Sequence, residues 1–175
     1  MNSSLLRHVH ERLAEAGITH ALIGAAALAI HGISRSTFDQ DLLATDRRAL
    51  DPATWVSLAD VADVDVRRGD DDDPLAGVVR VTSPGERDVD VIVGRHEWQR
   101  GIIDEAVLRD TPAGSIPVAS IEGLVLLKLY AGGPQDLWDI EQLRAIGGAA
   151  LDSGVDRRIE ALPDHAREAW TRVRA

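Results

Sequence analysis

The sequence predicts an α+β fold, in which helices flank a mixed β-sheet and a helical region forms the C-terminal end. Three observations lead to this fold class. Helix-like and strand-like patterns of apolar residues follow one another along the chain. Two strand patterns flank the turn Ser83-Pro84-Gly85, as in an antiparallel hairpin, and only helical patterns follow residue 120. A hairpin among mixed elements favours α+β over a doubly wound parallel sheet.

The chain has 175 residues, a length that fits a single domain with a short appendage. We expect residues 1–150 to form this domain and residues 151–175 to form a helical extension packed on it. Hydrophobic residues make up 45% of the chain but aromatic residues only 3%, so the core must be mostly aliphatic.

The first quarter of the chain predicts a helix, a strand, a second helix and a second strand. Apolar residues at helical spacing begin after Ser3 or Ser4, either of which is a suitable N-cap, and stop before Gly17. Small residues after Gly24 indicate a helix that begins where a strand ends. The predicted bounds are 5–16 and 24–32 for the helices, and 19–23 and 38–43 for the strands.

Local signals predict the remaining elements. Pro52 suits the first position of a helix that runs to about residue 60. Ser120 is expected to cap a strongly apolar helix, and Gly132-Gly133-Pro134 to separate it from the next one. The other predictions are strands at 61–67, 77–82 and 87–93, a helix at 96–108, a loop with a short edge strand at 111–118, and helices at 121–130, 134–146 and within 153–175.

Charge and composition exclude several classes of protein. Cysteine is absent, which excludes disulfides and zinc–thiolate sites. No apolar stretch approaches the ~20 residues of a membrane-spanning helix, and the N-terminus lacks a signal-peptide core. We therefore expect a soluble, cytoplasmic protein with no membrane partner. The net charge of −10 argues against general coating of DNA or RNA, although an acidic protein can bind a polyphosphate through metal ions.

Carboxylates in two predicted strands form the most informative pattern. Asp39 and Asp41 are two residues apart in one strand, so their side chains project from the same face. Two carboxylates this close repel each other unless a cation such as a hard divalent ion lies between them. If the strand at 87–93 lies beside this one, either Asp88 or Asp90, which share a face, supplies a third carboxylate. We choose Asp90, because it lies where the polar part of the strand gives way to its apolar part. Three carboxylates that bind two magnesium ions can activate a hydroxyl and neutralise a triphosphate.

The same spacing also arises by chance in an acidic chain. Asp63 and Asp65 are two residues apart as well, and aspartates fill positions 70–73. We interpret both groups as solvated surface. Asp39 and Asp41 differ from them, because an apolar strand surrounds the pair and a glycine-led helix precedes it.

Two stretches resemble known nucleotidyltransferase motifs. In the DNA polymerase β-type superfamily, a Gly-Gly or Gly-Ser pair opens a helix and Arg-x-Thr-x-Asp-x-Asp follows on a strand. Residues 22–43 resemble this motif, with Gly24-Ala25 at the helix and Arg35-Ser36-Thr37-Phe38-Asp39-Gln40-Asp41 at the strand. Residues 126–140, which include Lys128 and Asp136, resemble the Lys-Leu-x-Ala-x-Arg-x-Lys-Asp-x-x-Asp motif of the AbiEii-type nucleotidyltransferases, a group that includes toxins of toxin–antitoxin systems.

The resemblance implies a nucleotidyltransferase-like fold and a role for each matched residue. Asp39, Asp41 and Asp90 would bind magnesium, and Asp90 would also assist deprotonation of the acceptor. Lys128 would reach the triphosphate, and Asp136 would support the helix that carries this lysine. The implied catalytic residues are Asp39, Asp41, Asp90 and Lys128, and the implied nucleotide-binding residues are Gly24, Ala25, Arg35, Thr37, Lys128 and Asp136.

Two charged residues near the second motif have other interpretations. Apart from the motif, the more common role of a single lysine in an apolar helix is structural: its amine extends to solvent, and Lys128 fits this description. Asp139 either supports Lys128 or Arg144 or is a surface charge of its helix.

The activity implied by the resemblance is transfer of a nucleoside monophosphate from a nucleoside triphosphate, ATP among them, to a hydroxyl. A tRNA, a protein or a small molecule such as a drug is the acceptor, and a toxin would have an antitoxin protein as partner. The sequence departs from the motifs at Ala25, where a second Gly or Ser is usual, and at Gly133 and Gln135, where basic residues are common. These departures favour the alternative of a catalytically degenerate module that binds a nucleotide or a partner.

Overall fold

The computed structural model describes residues 4–34 and 40–175, which form two compact units. The first unit contains the chain up to Ala119 except His31–Ile33, and the second contains His31–Ile33 and Ser120–Ala175. The domain boundary expected after residue 150 falls inside a helix, Pro134–Arg158. The expected division into a domain of residues 1–150 and a helical extension of residues 151–175 packed on it stays a prediction.

Seven strands of the described chain form a mixed sheet in the first unit. They are β1 (His20–Ile23), β2 (Gln40–Ala44), β3 (Asp63–Arg68), β4 (Gly77–Thr82), β5 (Val89–Val93), β6 (Val107–Thr111) and β7 (Gly114–Val118). Their order across the sheet is β3-β4-β5-β2-β1-β7-β6. The pairs β2–β5 and β1–β7 are parallel, whereas the other neighbours are antiparallel. The predicted α+β class with a mixed sheet is confirmed.

Three α-helices and two 3₁₀ segments of the described residues belong to the first unit. They are α1 (Leu5–Glu15), α2 (Gly24–Ile30) and α3 (Glu97–Asp104), with 3₁₀ segments at Arg47–Leu50 and Pro52–Leu58. The Ser4 hydroxyl accepts the N–H of Arg7, as an N-cap does. Gly17 follows α1 in the left-handed conformation, with φ of 66°.

Alternation along the central strands separates a buried face of the sheet from a polar one. The buried face carries valines that are fully inaccessible to solvent: Val79, Val81, Val89, Val91 and Val93. The residues between them, including Arg80 and Asp90, project from the opposite face because side chains alternate along a strand. This alternation places charged groups of several strands side by side.

The second unit is helical in its described elements. It contains α4 (Ile121–Ala131), α5 (Pro134–Arg158), a short 3₁₀ turn (Ile159–Ala161) and α6 (Asp164–Arg174). Gly148, with φ of 57°, kinks α5. Among the described residues, no helix combines the length and apolar character needed to cross a membrane.

The structure corrects the prediction for residues 96–118. The helix expected at 96–108 ends at Asp104, and residues 107–111 form β6 instead. The strand β7 is not at an edge, because it pairs with β1 on one side and β6 on the other. Most residues of β6 are exposed, so this edge strand lacks the alternating apolar pattern that identifies a half-buried strand. Its pairing with β7 determines its conformation.

Candidate functional site

Asp41 and Asp90 lie directly opposite each other on neighbouring parallel strands. The register of β2 and β5 pairs Asp41 with Asp90 and Leu42 with Val91. Adjacent strands are about 4.8 Å apart, and register partners project from the same face of the sheet. The two carboxylates therefore share one location, as expected if the Asp90 strand lies beside the Asp41 strand.

Gly24 brings the backbone against the Asp41 side chain. It is the first residue of α2 and has a φ of 63°, a conformation that glycine adopts readily and other residues rarely do. A Cβ atom built on Gly24 would lie 2.0 Å from Asp41 Oδ2, far inside van der Waals contact. The backbone conformation favours glycine and the close approach leaves no room for a side chain, so this position lines the carboxylate site.

A row of register partners crosses five strands of the sheet at this level. Ile23 pairs with Asp41, Asp41 with Asp90, Asp90 with Arg80, and Arg80 with Asp65. The row thus presents two adjacent carboxylates, then a guanidinium, then a third carboxylate. Arg80 is a site residue that the sequence analysis did not identify. The hairpin around residues 83–85 could have revealed it, because a register with Val81 opposite Val89 also places Arg80 opposite Asp90.

Arg80 and Asp90 form a bidentate ion pair. Arg80 Nε donates to Asp90 Oδ1 at 2.8 Å, and a terminal Arg80 nitrogen donates to Asp90 Oδ2 at 2.6 Å. The Asp90 side chain is only 13% exposed, whereas that of Arg80 is 47% exposed. Parallel hydrogen bonds of this kind are among the stronger polar contacts in proteins. Arg80 therefore compensates the charge of Asp90.

A cavity of about 430 Å³ adjoins this pair within the first unit. Arg80 and Asp90 line it together with charged and apolar residues that include Arg67, Leu75 and Val78. Its volume lies in the range of small-molecule sites, which are typically ~300–1,000 Å³. The carboxylate row therefore has a recess beside it that is large enough for part of a small ligand.

The second predicted motif forms a buried charge cluster in the second unit. Lys128 Nζ, on α4, lies 2.8 Å from Asp136 Oδ1 and 2.7 Å from Asp139 Oδ2, both on α5. Asp136 Oδ2 also accepts the backbone N–H of Gly133 at 3.0 Å. The Asp139 side chain is fully buried, so the interpretation of Asp139 as a surface charge is wrong and its pairing with Lys128 is confirmed. The Lys128 side chain, only 14% exposed, does not extend freely to solvent.

The structure locates the three departures from the motifs. Ala25 is the second residue of α2 and is partly buried. Gly133 is the N-cap of α5, and a Cβ atom there would lie 3.0 Å from the Asp136 carboxylate. Gln135 is exposed in the first turn of α5. A longer residue at Gly133 would press on the carboxylate that binds Lys128, whereas Gln135 has no such constraint.

The structure does not describe every predicted site residue. Arg35, Thr37 and Asp39 lie outside the described residues. Within residues 4–34 and 40–175, no group of three or more His, Asp or Glu side chains is arranged to hold a metal ion. The described part of the predicted metal site is thus the pair Asp41 and Asp90, whose hard oxygen ligands suit magnesium.

Solved structures with the same fold carry nucleotidyltransferase descriptions. No protein-family model and no curated protein sequence matches this chain. An antigenic nucleotidyltransferase-like protein from Paracoccidioides brasiliensis has a TM-score of 0.55 and 18% identity, over 95% of this chain and 90% of that chain. The antibiotic-resistance factor ANT(2″)-Ia in solution has a TM-score of 0.56 and 15% identity, over 89% and 90%.

The same resistance factor was also solved in complex with adenylyl-2″-tobramycin. That structure has a TM-score of 0.55 and 14% identity, over 98% of this chain and 97% of that chain. At these identities the likeness establishes the fold. The chain therefore has the fold of nucleotidyltransferase-like proteins.

Proposed function

We propose that the protein is a magnesium-dependent nucleotidyltransferase, which moves a nucleoside monophosphate from a nucleoside triphosphate to a hydroxyl. The observation that carries this proposal is the register of Asp41 and Asp90 beside Gly24. Two adjacent carboxylates lie beside the glycine that begins α2, and the fold is shared with nucleotidyltransferase-like proteins. Both features support a site for a metal-bound triphosphate.

The proposed reaction exchanges one bond to phosphorus for another. The acceptor oxygen bonds to the α-phosphorus, the bond from that phosphorus to the oxygen bridging the β-phosphate breaks, and pyrophosphate leaves. Asp90 takes the proton of the acceptor hydroxyl. Magnesium ions, two in this proposal, would be held by Asp39, Asp41 and Asp90 and would polarise the phosphate and lower the pKa of the hydroxyl.

We further propose nucleotide-binding roles for residues of both motifs. Gly24 and the backbone after it keep the triphosphate close to the carboxylates, since no side chain intervenes there. The other proposed nucleotide-binding residues are Ala25, Arg35, Thr37, Lys128 and Asp136. Lys128 forms ion pairs with two carboxylates, those of Asp136 and Asp139.

We propose that the acceptor is a small molecule with a hydroxyl group, in preference to a tRNA or a protein. The net charge of −10 disfavours a polyanionic acceptor. The complex of ANT(2″)-Ia with adenylyl-2″-tobramycin shows that this fold holds an adenylylated small molecule in that protein. A role as a toxin with an antitoxin partner rests on the resemblance to AbiEii-type proteins alone.

Release of pyrophosphate from a panel of triphosphates tests the activity. We expect magnesium-dependent release, and loss of release by at least about 100-fold in Asp41→Asn, because the metal would lose a charged ligand. Asp63→Asn is the matched control, since Asp63 is an exposed aspartate in a strand of the same sheet. Equal activity of the two variants would refute the assignment of the carboxylate site.

A second candidate function is binding of a nucleotide without turnover. The missing basic residues at Gly133 and Gln135 favour it, as does the pairing of Lys128 with two carboxylates. In that case a triphosphate with magnesium would raise the melting temperature, whereas pyrophosphate release would be absent for every triphosphate and acceptor tested.

A further inference from the structure

Arg80 and Asp90 face each other across β4 and β5 in a geometry that bears on metal binding. Both oxygens of the Asp90 carboxylate accept hydrogen bonds from the Arg80 guanidinium, at 2.8 and 2.6 Å. The same carboxylate lies opposite Asp41 in the sheet. A metal ion bound at this pair would therefore approach a carboxylate whose two oxygens already have a cationic partner.

We propose that Arg80 is a positioning residue that replaces the metal cation at Asp90 while the site is empty and withdraws when a divalent ion binds. This inference rests on the proposed metal site. Two neighbouring carboxylates repel each other, and with no metal bound the guanidinium offsets part of that repulsion. It also holds the Asp90 side chain in one orientation, since a bidentate pair restricts rotation.

Two observations indicate that Arg80 is able to leave. Its side chain is 47% exposed, whereas the Asp90 side chain is 13% exposed, so the arginine is the more accessible partner. Arg80 also lines the cavity of about 430 Å³, which offers space for a guanidinium turned away from Asp90. The backbone of β4 need not move, because a long arginine side chain changes its position by rotation of its own bonds.

The alternative is that Arg80 merely joins two strands. Arg67 and Asp65 provide that comparison within the same sheet. Arg67 Nε lies 2.8 Å from Asp65 Oδ2, both side chains are more than half exposed, and both residues line the same cavity. Arg67 forms its ion pair with Asp65, which is not a proposed metal ligand, so Arg67→Gln removes one positive charge from the cavity without freeing such a ligand.

Direct measurement of manganese binding tests the inference. Mn²⁺ prefers the same oxygen ligands as magnesium, and electron paramagnetic resonance measures the free ion. In the 175-residue chain we expect Arg80→Gln to lower the dissociation constant for Mn²⁺ about fivefold, because the competing ion pair is gone. Arg80→Lys keeps the charge without the bidentate geometry and should fall between Arg80→Gln and the parent protein.

The control and a second measurement separate this effect from general electrostatics and from misfolding. Arg67→Gln should change the dissociation constant by less than about twofold, because exposed charges are screened by salt. Thermal unfolding should show Arg80→Gln to be less stable than the parent without metal. Saturating Mn²⁺ should reduce that difference.

Failure of the inference is distinguishable from failure of the proposed function. If Asp41→Asn weakens Mn²⁺ binding but Arg80→Gln binds as the parent does or more weakly, the metal site stands and the role of Arg80 is overturned. A similar gain in Arg67→Gln would also overturn it. If the parent protein binds no Mn²⁺ at millimolar concentration, the proposed metal site and this inference both fail.

Discussion

Gly24 combines two separate requirements for glycine at one residue. Its φ of 63° disfavours any side chain, and the Asp41 carboxylate occupies the space that a Cβ atom would need. Gly17 has a similar φ of 66°, but a Cβ atom there would meet nothing within 4 Å. Substitution of Gly17 therefore measures the free-energy cost of backbone strain alone, whereas substitution of Gly24 adds the cost of a steric clash with Asp41.

We predict that Gly17→Ala lowers the free energy of unfolding by about 1 kcal/mol, the cost of a left-handed alanine. Gly24→Ala should lower it by about 3 kcal/mol, because a steric clash adds to that strain. Denaturant unfolding at equilibrium measures both. Equal losses in the two variants would show that Asp41 simply turns away from the added methyl group.

The Lys128 cluster depends on a carboxylate that has no access to water. Asp139 is fully buried and lies 2.7 Å from Lys128 Nζ. Asp136 shares the same ammonium and also binds the backbone N–H of Gly133 at the start of α5. The three side chains thus connect the end of α4 to the first two turns of α5.

We predict that Asp139→Asn lowers the free energy of unfolding by about 2 kcal/mol, since it leaves a largely buried ammonium with one carboxylate fewer. Glu141→Gln is the control, because Glu141 is exposed on the same helix. That variant should change stability by less than about 0.5 kcal/mol. A neutral effect of Asp139→Asn would mean that Asp136 alone compensates Lys128.

At the scale of elements, a pair of histidines joins α1 to β1. His10 Nδ1 lies 2.7 Å from His20 Nε2, and His20 Nδ1 lies 2.9 Å from the Ile18 carbonyl. If His20 Nδ1 donates to that carbonyl, a neutral His20 accepts the N–H of His10 at its Nε2, so the arrangement needs no proton beyond those of two neutral rings. Burial lowers the pKa of His20, and burial likewise lowers the pKa of His10.

The lowered pKa values predict how stability depends on pH. Both histidines bind protons more readily in the unfolded chain, where a histidine has its ordinary pKa of 6.5. Their neutral forms therefore favour folding above this value, and stability is lost as the pH falls below it. We expect stability to fall as the pH is lowered from about 7.5 to 5.5, with the larger part of the loss coming from His20, which is nearly inaccessible to solvent.

Urea unfolding at several pH values measures this dependence. The slope of stability against pH should flatten in His20→Gln, which cannot titrate. His8→Gln, which changes a histidine of α1 outside this pair, is the control. An unchanged slope in His20→Gln would assign the pH dependence to other groups.

At the scale of the whole molecule, the two units carry different parts of the proposed machinery. The first unit contains Gly24, Asp41, Asp90 and the cavity beside Arg80, whereas the second contains Lys128 and its carboxylates. The net charge of −10 and the adjacent carboxylates of Asp41 and Asp90 disfavour a triphosphate that has no accompanying cation. Nucleotide binding is therefore expected to require a divalent ion.

We predict that ATP with magnesium raises the melting temperature by about 5–10 °C when ATP is present at about 100 times its dissociation constant. ATP with a chelator should give little or no shift. Asp41→Asn should lose most of the magnesium-dependent shift, whereas Asp63→Asn should keep it. A shift that is equal with and without magnesium would exclude a metal-bound triphosphate as the ligand.

Several elements could be predicted from the sequence because their signals are local. Ser4 and Ser120 cap helices by binding an N–H three residues ahead, and Ser83-Pro84-Gly85 turns the chain within a hairpin. Such interactions depend on neighbours in sequence, so a single stretch of residues is enough to specify them. The order of these elements along the chain was enough to predict the α+β class and a mixed sheet.

The arrangement of charges was decided by tertiary structure. The sequence indicated that Asp41 and Asp90 matter, but only the register of β2 and β5 places them opposite each other. The sequence does not identify Arg80 as the partner of Asp90, and the predicted helix at 96–108 includes Val107 and Leu108, which begin the strand β6. Pairing between strands depends on residues far apart in the chain, and an exposed edge strand has no apolar pattern of its own to reveal it.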